Sequence, residues 1–254
     1  MISLNKVTSG YMGVNIIKDI SLSFEKGNII SIIGKNGCGK TTLLKTASRL
    51  IKPYSGDVLL NENSIFNITS KEVARHISYL PQNRDVPSIK AYDLVMHGRF
   101  PYLKFPRIPT DDDKRLAEEA IERLKITEYK DKNIRELSGG ERQKVYLAMI
   151  LAQDTDIIFL DEPTTFLDIN HQLEILKIVK DLKKMGKTIV MVIHDLNSAL
   201  TYSDKVCLMD KGQIVIYDTP QNVYKSKLIE NTFEIQCQEL SVSNKGERQY
   251  VFSI

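Results

Sequence analysis

Cysteine is scarce in these 254 residues: only Cys38, Cys207 and Cys237, an odd number with no metal-binding spacing. That argues against a cysteine-ligated metal site and fits a reduced, cytosolic setting. No apolar run approaches the roughly 20 residues of a membrane helix. Met1-Ile2-Ser3-Leu4-Asn5 lacks the basic-then-apolar pattern of a signal peptide. A formal charge of +3 is too small to argue for a nucleic-acid partner. Membrane association is therefore expected to run through a partner protein. With 42% hydrophobic and 26% charged residues, the composition is ordinary for a globular chain. The length suits one large domain, or one domain with an appendage.

The most informative stretch is Gly34-Lys35-Asn36-Gly37-Cys38-Gly39-Lys40-Thr41-Thr42. It follows the apolar run Ile29–Ile33, which reads as a buried strand, and precedes Leu43–Ala47, which reads as a helix. This is a phosphate-binding P-loop in its strand–loop–helix setting. Its glycines let successive N–H groups point inward at an anion, and the helix N-terminus adds positive potential. Lys40 is placed to reach β- and γ-phosphates, and the Thr41 hydroxyl to sit on Mg²⁺.

Strands are expected over Ile2–Thr8, Ile16–Phe24 and Ile29–Ile33. Tyr11 falls in a polar loop flanked by Gly10 and Gly13; it is either an ordinary loop tyrosine or a platform for a base. The run Asp57–Leu60 reads as a strand, Ser70–Arg75 as a short capped helix, and Ile77–Gln82 as a strand ending at Gln82. Gln82 matters only if it faces the phosphates.

Over residues 88–152 helical patterns replace strands. Ala91–Gly98 and Asp111–Lys125 read as helices, the second with Leu116, Ala120 and Leu124 on its apolar face. Leu137-Ser138-Gly139-Gly140-Glu141-Arg142-Gln143 then leads into a helix with Val145, Ala148, Met149 and Ala152 on one face. Ser138 stands as its N-cap beside the N–H groups of Gly139 and Gly140, either a second anion site or only a cap.

Asp156–Glu162 is an apolar run ending in two acids. A buried strand of this kind delivers carboxylates to the sheet end where ligands bind. Asp161 is expected to hold Mg²⁺ and Glu162 to accept a proton from the attacking water. A helix follows with Ile175, Ile178, Val179 and Leu182 on one face, and Thr188–Ile193 then delivers His194, either structural or a phosphate contact. Helix 195–203, strands Lys205–Met209 and Gln213–Tyr217, and helix Pro220–Lys225 complete the core. The tail, 226–254, alternates weakly (Leu240, Val242, Val251, Ile254) and suggests no role.

Together, GKNGCGKTT, Gln82, LSGGERQ, IIFLDEP, TFLD and His194 resemble the nucleotide-binding subunit of an ATP-binding cassette (ABC) transporter, over residues from about 2 to 220. LSGGERQ is that family's own signature. Gln82 matches its Q-loop, Asp168 its D-loop, His194 its switch histidine and Tyr11 its adenine-stacking aromatic. Val95-Met96-His97-Gly98-Arg99-Phe100-Pro101 and Thr165–Gln172 are similar to the branch that drives uptake of iron–siderophores, haem and cobalamin.

The resemblance implies an α/β P-loop NTPase core with a mostly parallel sheet, at about residues 1–87 and 153–220. It also implies an N-terminal antiparallel β subdomain, an inserted helical subdomain at about 88–152, a cassette spanning 2–238 and a C-terminal extension at 226–254. It further implies an ATPase using ATP and Mg²⁺, the ion held by Thr41, Gln82 and Asp161. Two copies would pair head to tail, each ATP lying between one copy's Gly34–Thr42 and Tyr11 and the other's Ser138, Gly139, Gly140 and Asp168. Glu162 would be the base, with His194 and Gln82 completing the catalytic set. The expected setting is the cytoplasmic face of the membrane. Permease subunits would dock near Gln82 to Tyr102, and a periplasmic or lipoprotein binding protein would act indirectly. The expected cargo is an iron(III)-siderophore or related chelate, with haem or cobalamin as alternatives. A soluble ABC ATPase acting on DNA or ribosomes is disfavoured, since tandem cassettes and long coiled-coil or zinc insertions are lacking. A P-loop kinase or GTPase is disfavoured by LSGGERQ, and an exporter only by the Gly98-Arg99-x-Pro101 segment. The cysteine in the loop, Cys38, suggests sensitivity to alkylation with protection by ATP.

Overall fold

The computed structural model describes residues 1–241 and 248–253. The chain opens with β1 (Ile2–Tyr11) and β2 (Val14–Phe24), an antiparallel hairpin closed by Met12 and Gly13. The central strand β3 (Ile29–Gly34) is buried throughout and feeds helix α1 (Lys40–Ala47). Strands β4 (Ser55–Leu60) and β5 (Asn63–Ser64) return to the hairpin. Helix α2 (Ser70–His76), its Thr69 cap accepting from Glu72 N–H, leads into β6 (Ile77–Leu80).

Next come α3 (Ala91–His97), α4 (Asp111–Arg123), two short 3-10 turns and α5 (Gly139–Gln153). Strand β7 (Ile157–Asp161), α6 (Ile169–Lys184), β8 (Thr188–Val192) and α7 (Leu196–Tyr202) follow. Strands β9 (Lys205–Asp210) and β10 (Gln213–Asp218), helices α8 (Pro220–Lys225) and α9 (Leu228–Phe233), and the hairpin β11 (Gln236–Ser241) and β12 (Arg248–Ser253) end the chain.

The N-terminal sheet has order β2-β1-β4-β5 and is antiparallel throughout. The core sheet has order β10-β9-β3-β8-β7-β6; its strands run parallel except β10. Strands β3, β7 and β8 are buried at every position. Such two-sided burial explains their nearly continuous apolar runs, interrupted in β3 by the buried Ser31. The carboxyl ends of β3, β7 and β8 therefore meet at one edge, where Gly34, Asp161 and Val192 pass into loops. No helix among the described residues is long and apolar enough to cross a membrane.

Several local expectations shift. Tyr11 closes β1 and does not lie in a loop, and Gln82 lies two residues beyond β6. In α4 the buried face is Ala117, Ala120, Ile121 and Leu124, with Leu116 only half-buried. Helix α5 is buried nearly all round, because it packs against α3, α4 and β6 at once. The tail is built: Cys237 and Tyr250 are buried, and the Tyr250 amide donates to Asn197 of α7 at 2.9 Å. Val242 and Ile254 lie outside the described residues.

Candidate functional site

Gly39 has φ +105°, a conformation glycine enters without a Cβ clash, and it turns the chain from β3 into α1. A Cβ there would stand 2.8 Å from Ile17. The loop curls round the Lys40 ammonium, which donates to the carbonyls of Gly34 (2.8 Å) and Lys35 (3.0 Å). Lys40 is thus buried while its charge sits at the loop's centre, where phosphate oxygens would be drawn. Cys38 is different: its thiol is buried in the core cluster against β9. Burial raises its pKa, and the nearby Lys40 charge only partly opposes this. The expected alkylation sensitivity is therefore not supported, because an inward-facing protonated thiol is a poor nucleophile.

Asp161, 2% exposed, ends β7 opposite the loop. Its carboxylate accepts from the Thr41 hydroxyl (3.0 Å) and from the Tyr79 hydroxyl (3.0 Å). Burial pushes its pKa up, and those two bonds only partly counter it. Burial and the Asp161 charge likewise raise the Tyr79 phenol. Tyr79 was not anticipated as a site residue; nothing in its strand pattern separates it from a packing tyrosine.

Glu162 leaves the sheet with φ +52°, a left-handed turn that a glutamate rarely adopts. The turn aims its carboxylate at three partners. His194 Nε2 lies 2.6 Å away, Thr165 donates its hydroxyl at 3.0 Å, and the Gln82 amide donates to the same oxygen as Thr165. Gln82, Glu162 and His194 thus converge, although 80 residues separate Gln82 from Glu162 in sequence. Tyr11, Gly37, Gly39, Lys40, Thr41 and Glu162 line one cleft of about 300 Å³, and Asn36 and Thr42 lie on its wall. Tyr11 offers a half-exposed ring there.

Ser138, Gly139, Gly140 and Asp168 do not line that cleft. Ser138 caps α5 reciprocally with Glu141, the serine amide donating to the carboxylate at 2.8 Å. Gly140 is required by close approach, since a Cβ would lie 2.1 Å from the His171 ring. Asp168 caps α6, accepting from the His171 amide and contacting its Nδ1, each at 2.9 Å. The His171 amide, then its imidazole, holds Asp168 below the usual carboxylate range. The phosphate loop with its acids and the N-terminus of α5 thus lie apart, the latter exposed at Ser138 and Gly139.

Thr41, Asp161 and the Gln82 amide are hard oxygen donors, and the bonded pair Thr41–Asp161 fits a Mg²⁺ ion. Among the described residues no three His, Cys, Asp or Glu side chains converge on a metal cage. Such a site suits an ion shared with phosphate oxygens. Lys35, on the loop's outer side, pairs with Glu234 at 2.8 Å, and Phe233 lines a neighbouring cleft with Asn36 and His194. That contact between tail and loop was invisible in the sequence.

A phosphate loop on one strand, with paired acids ending another and β8 between them, defines a P-loop nucleoside triphosphatase. The ABC transporter family model matches residues 17–165, and the chain belongs to that family as an ATP-binding subunit. It is an ATPase whose hydrolysis of ATP energises transport. It is 40% identical to the petrobactin import ATP-binding protein FpuD of Bacillus anthracis, over 92% of this chain and 86% of that one. It is 40% identical to the iron(3+)-hydroxamate import ATP-binding protein FhuC of Bacillus subtilis, over 93% and 89%. Among solved structures it is similar to the dimeric bacterial ABC transporter cassette MJ0796, at 26% identity and a TM-score of 0.76, over 87% and 99%.

Proposed function

We propose that this chain is the ATPase subunit of an importer for an iron(III)-siderophore or a related metal chelate, working at the cytoplasmic face of the membrane. The observation that carries the cargo assignment is the match, at 40% identity over more than nine-tenths of the chain, to one protein named for petrobactin import and one named for iron(3+)-hydroxamate import. Permease subunits would dock near Gln82 to Tyr102, and a binding protein outside the cell would deliver the chelate to them.

Two copies pair head to tail. Each ATP rests on one copy's Gly34–Thr42, its adenine on Tyr11, while the other copy's Ser138, Gly139 and Gly140 close on the γ-phosphate with Asp168 beside them. The exposure of Ser138 and Gly139 at this second helix N-terminus, away from the cleft, supports the pairing. A bound Mg²⁺, held by Thr41, Asp161 and Gln82, would withdraw charge from the phosphate oxygens. Lys40 neutralises the same oxygens from within the loop. Glu162 takes a proton from the attacking water, and His194 and Gln82 orient the carboxylate and water.

The test is uptake. Cells lacking this gene should lose uptake of radiolabelled iron(III)-siderophore, regain it with the wild-type gene, and not with Lys40→Ala. Unchanged uptake of every siderophore offered would reject the cargo assignment.

A further inference from the structure

Gln143 lies in α5, one turn past the Ser138 cap, and is only 6% exposed. Its carboxamide is used at both ends. Arg84 Nη2 donates to Oε1 at 2.6 Å, and Nε2 donates to the carbonyl of Pro163 at 2.8 Å. Guanidinium can only donate and a carbonyl can only accept, so the amide's orientation is fixed by chemistry. Arg84 is itself held on α5, its guanidinium 4.2 Å from the centre of the Tyr146 ring. It sits two residues after Gln82.

Pro163 immediately follows Glu162. The left-handed turn at Glu162 persists only if its flanks are held. On one side the Glu162 amide donates to Val192 at 3.2 Å; on the other, Gln143 holds the Pro163 carbonyl. The Gln82 loop thus reaches the glutamate twice: directly through Gln82, and through Arg84, Gln143 and Pro163.

We propose that Gln143 and Arg84 are positioning residues for Glu162. They tie the N-terminal turn of α5, which closes on the partner's nucleotide, to the acid that works on the chain's own nucleotide. A displacement of that turn is passed along α5 to Gln143, and through its buried bond to the Pro163 carbonyl to the strained turn at Glu162, while the Arg84 bond carries it to the Gln82 loop. The inference rests on Glu162 as proton acceptor. It goes beyond that reading by assigning a route between the two half-sites of one chain.

The test uses the full chain. Gln143→Glu keeps an acceptor for Arg84 but cannot donate to Pro163. It should lower kcat by about ten-fold or more, since misplacing a reacting group by an ångström is that costly. The Kd for ATP should stay within about two-fold, because the phosphate loop is untouched. In a Glu162→Gln background it should leave ATP-dependent dimer formation intact. Arg84→Leu, which cuts the route at its less buried end, should show the same split and serves if Gln143→Glu fails to fold; Arg84→Lys should recover part of kcat. A wild-type kcat in both Gln143→Glu and Arg84→Leu would overturn the proposal. So would loss of dimer formation in the Glu162→Gln background, which would place the effect at the interface. If Glu162→Gln alone keeps the wild-type kcat, the reading of Glu162 as proton acceptor falls first, and the two failures are distinguishable.

Discussion

Asp161 is a carboxylate buried at a cost to the fold. Its pKa is raised by burial, so the folded chain holds that proton more tightly than the unfolded chain does. The stability it contributes is full below the ordinary carboxylate pKa of 3.8 and is lost as pH rises through its folded value. At neutral pH the charge is therefore destabilising. Asp161→Asn should raise the melting temperature at pH 7, by roughly 2–4 °C for each kcal/mol recovered, while abolishing ATP turnover. The gain should disappear in melts near pH 3.5. A melting temperature that falls at pH 7 would mean that the bonds from Thr41 and Tyr79 outweigh desolvation. Glu162 shows the same principle in its backbone: a strained turn is kept because it aims an acid at Gln82, Thr165 and His194.

At the scale of elements, the Gly98-Arg99-x-Pro101 segment is a brace. Arg99 is buried, pairs with Asp113 of α4 at 2.9 Å, donates to the Ala152 carbonyl of α5 at 2.9 Å, and lies 3.9 Å from the centre of the Tyr102 ring. Burial opposes ionisation of Asp113, yet the bonds from Thr110 and Arg99 hold its carboxyl below the usual range. Arg99→Ala would strand that charge among α3, α4 and α5. Urea denaturation should show a loss of about 3–5 kcal/mol, the usual cost of breaking a buried pair from one side. A loss under about 1 kcal/mol would mean that Asp113 finds water.

The elements carrying the site were legible because two-sided burial writes itself as an apolar run, in Ile29–Ile33 and Ile157–Leu160. On α4 the expected Ala120 and Leu124 are buried, but Leu116 is only half-buried and Ala117 and Ile121 complete the face instead, since a small alanine at 117 carries little hydrophobic signal. Gln143, His171, Tyr79 and Glu234 were missed for another reason. The partners of Gln143, Tyr79 and Glu234 lie 20 to 199 residues away, and His171 packs on the distant Gly140 as well as on its N-cap Asp168, so no local pattern marks these residues as belonging to the site.

At the scale of the whole molecule, the proposed pairing makes the chain half of a working unit. Its cleft gathers Tyr11, the phosphate loop and Glu162, while Ser138–Gly140 opens elsewhere. The tail ties α9 to the loop through Lys35 and Glu234, but that pair is solvent-exposed and adds little to stability. On that proposal a second copy supplies what the cleft lacks. Mixing two defective full-length chains, Lys40→Ala and Ser138→Arg, tests this most directly. Each alone should hydrolyse almost no ATP. Half of randomly paired dimers are mixed, and each mixed dimer holds one intact site of two, so the mixture should recover up to about a quarter of wild-type ATPase activity. A mixture no more active than the mean of its two components would contradict a site shared between two chains.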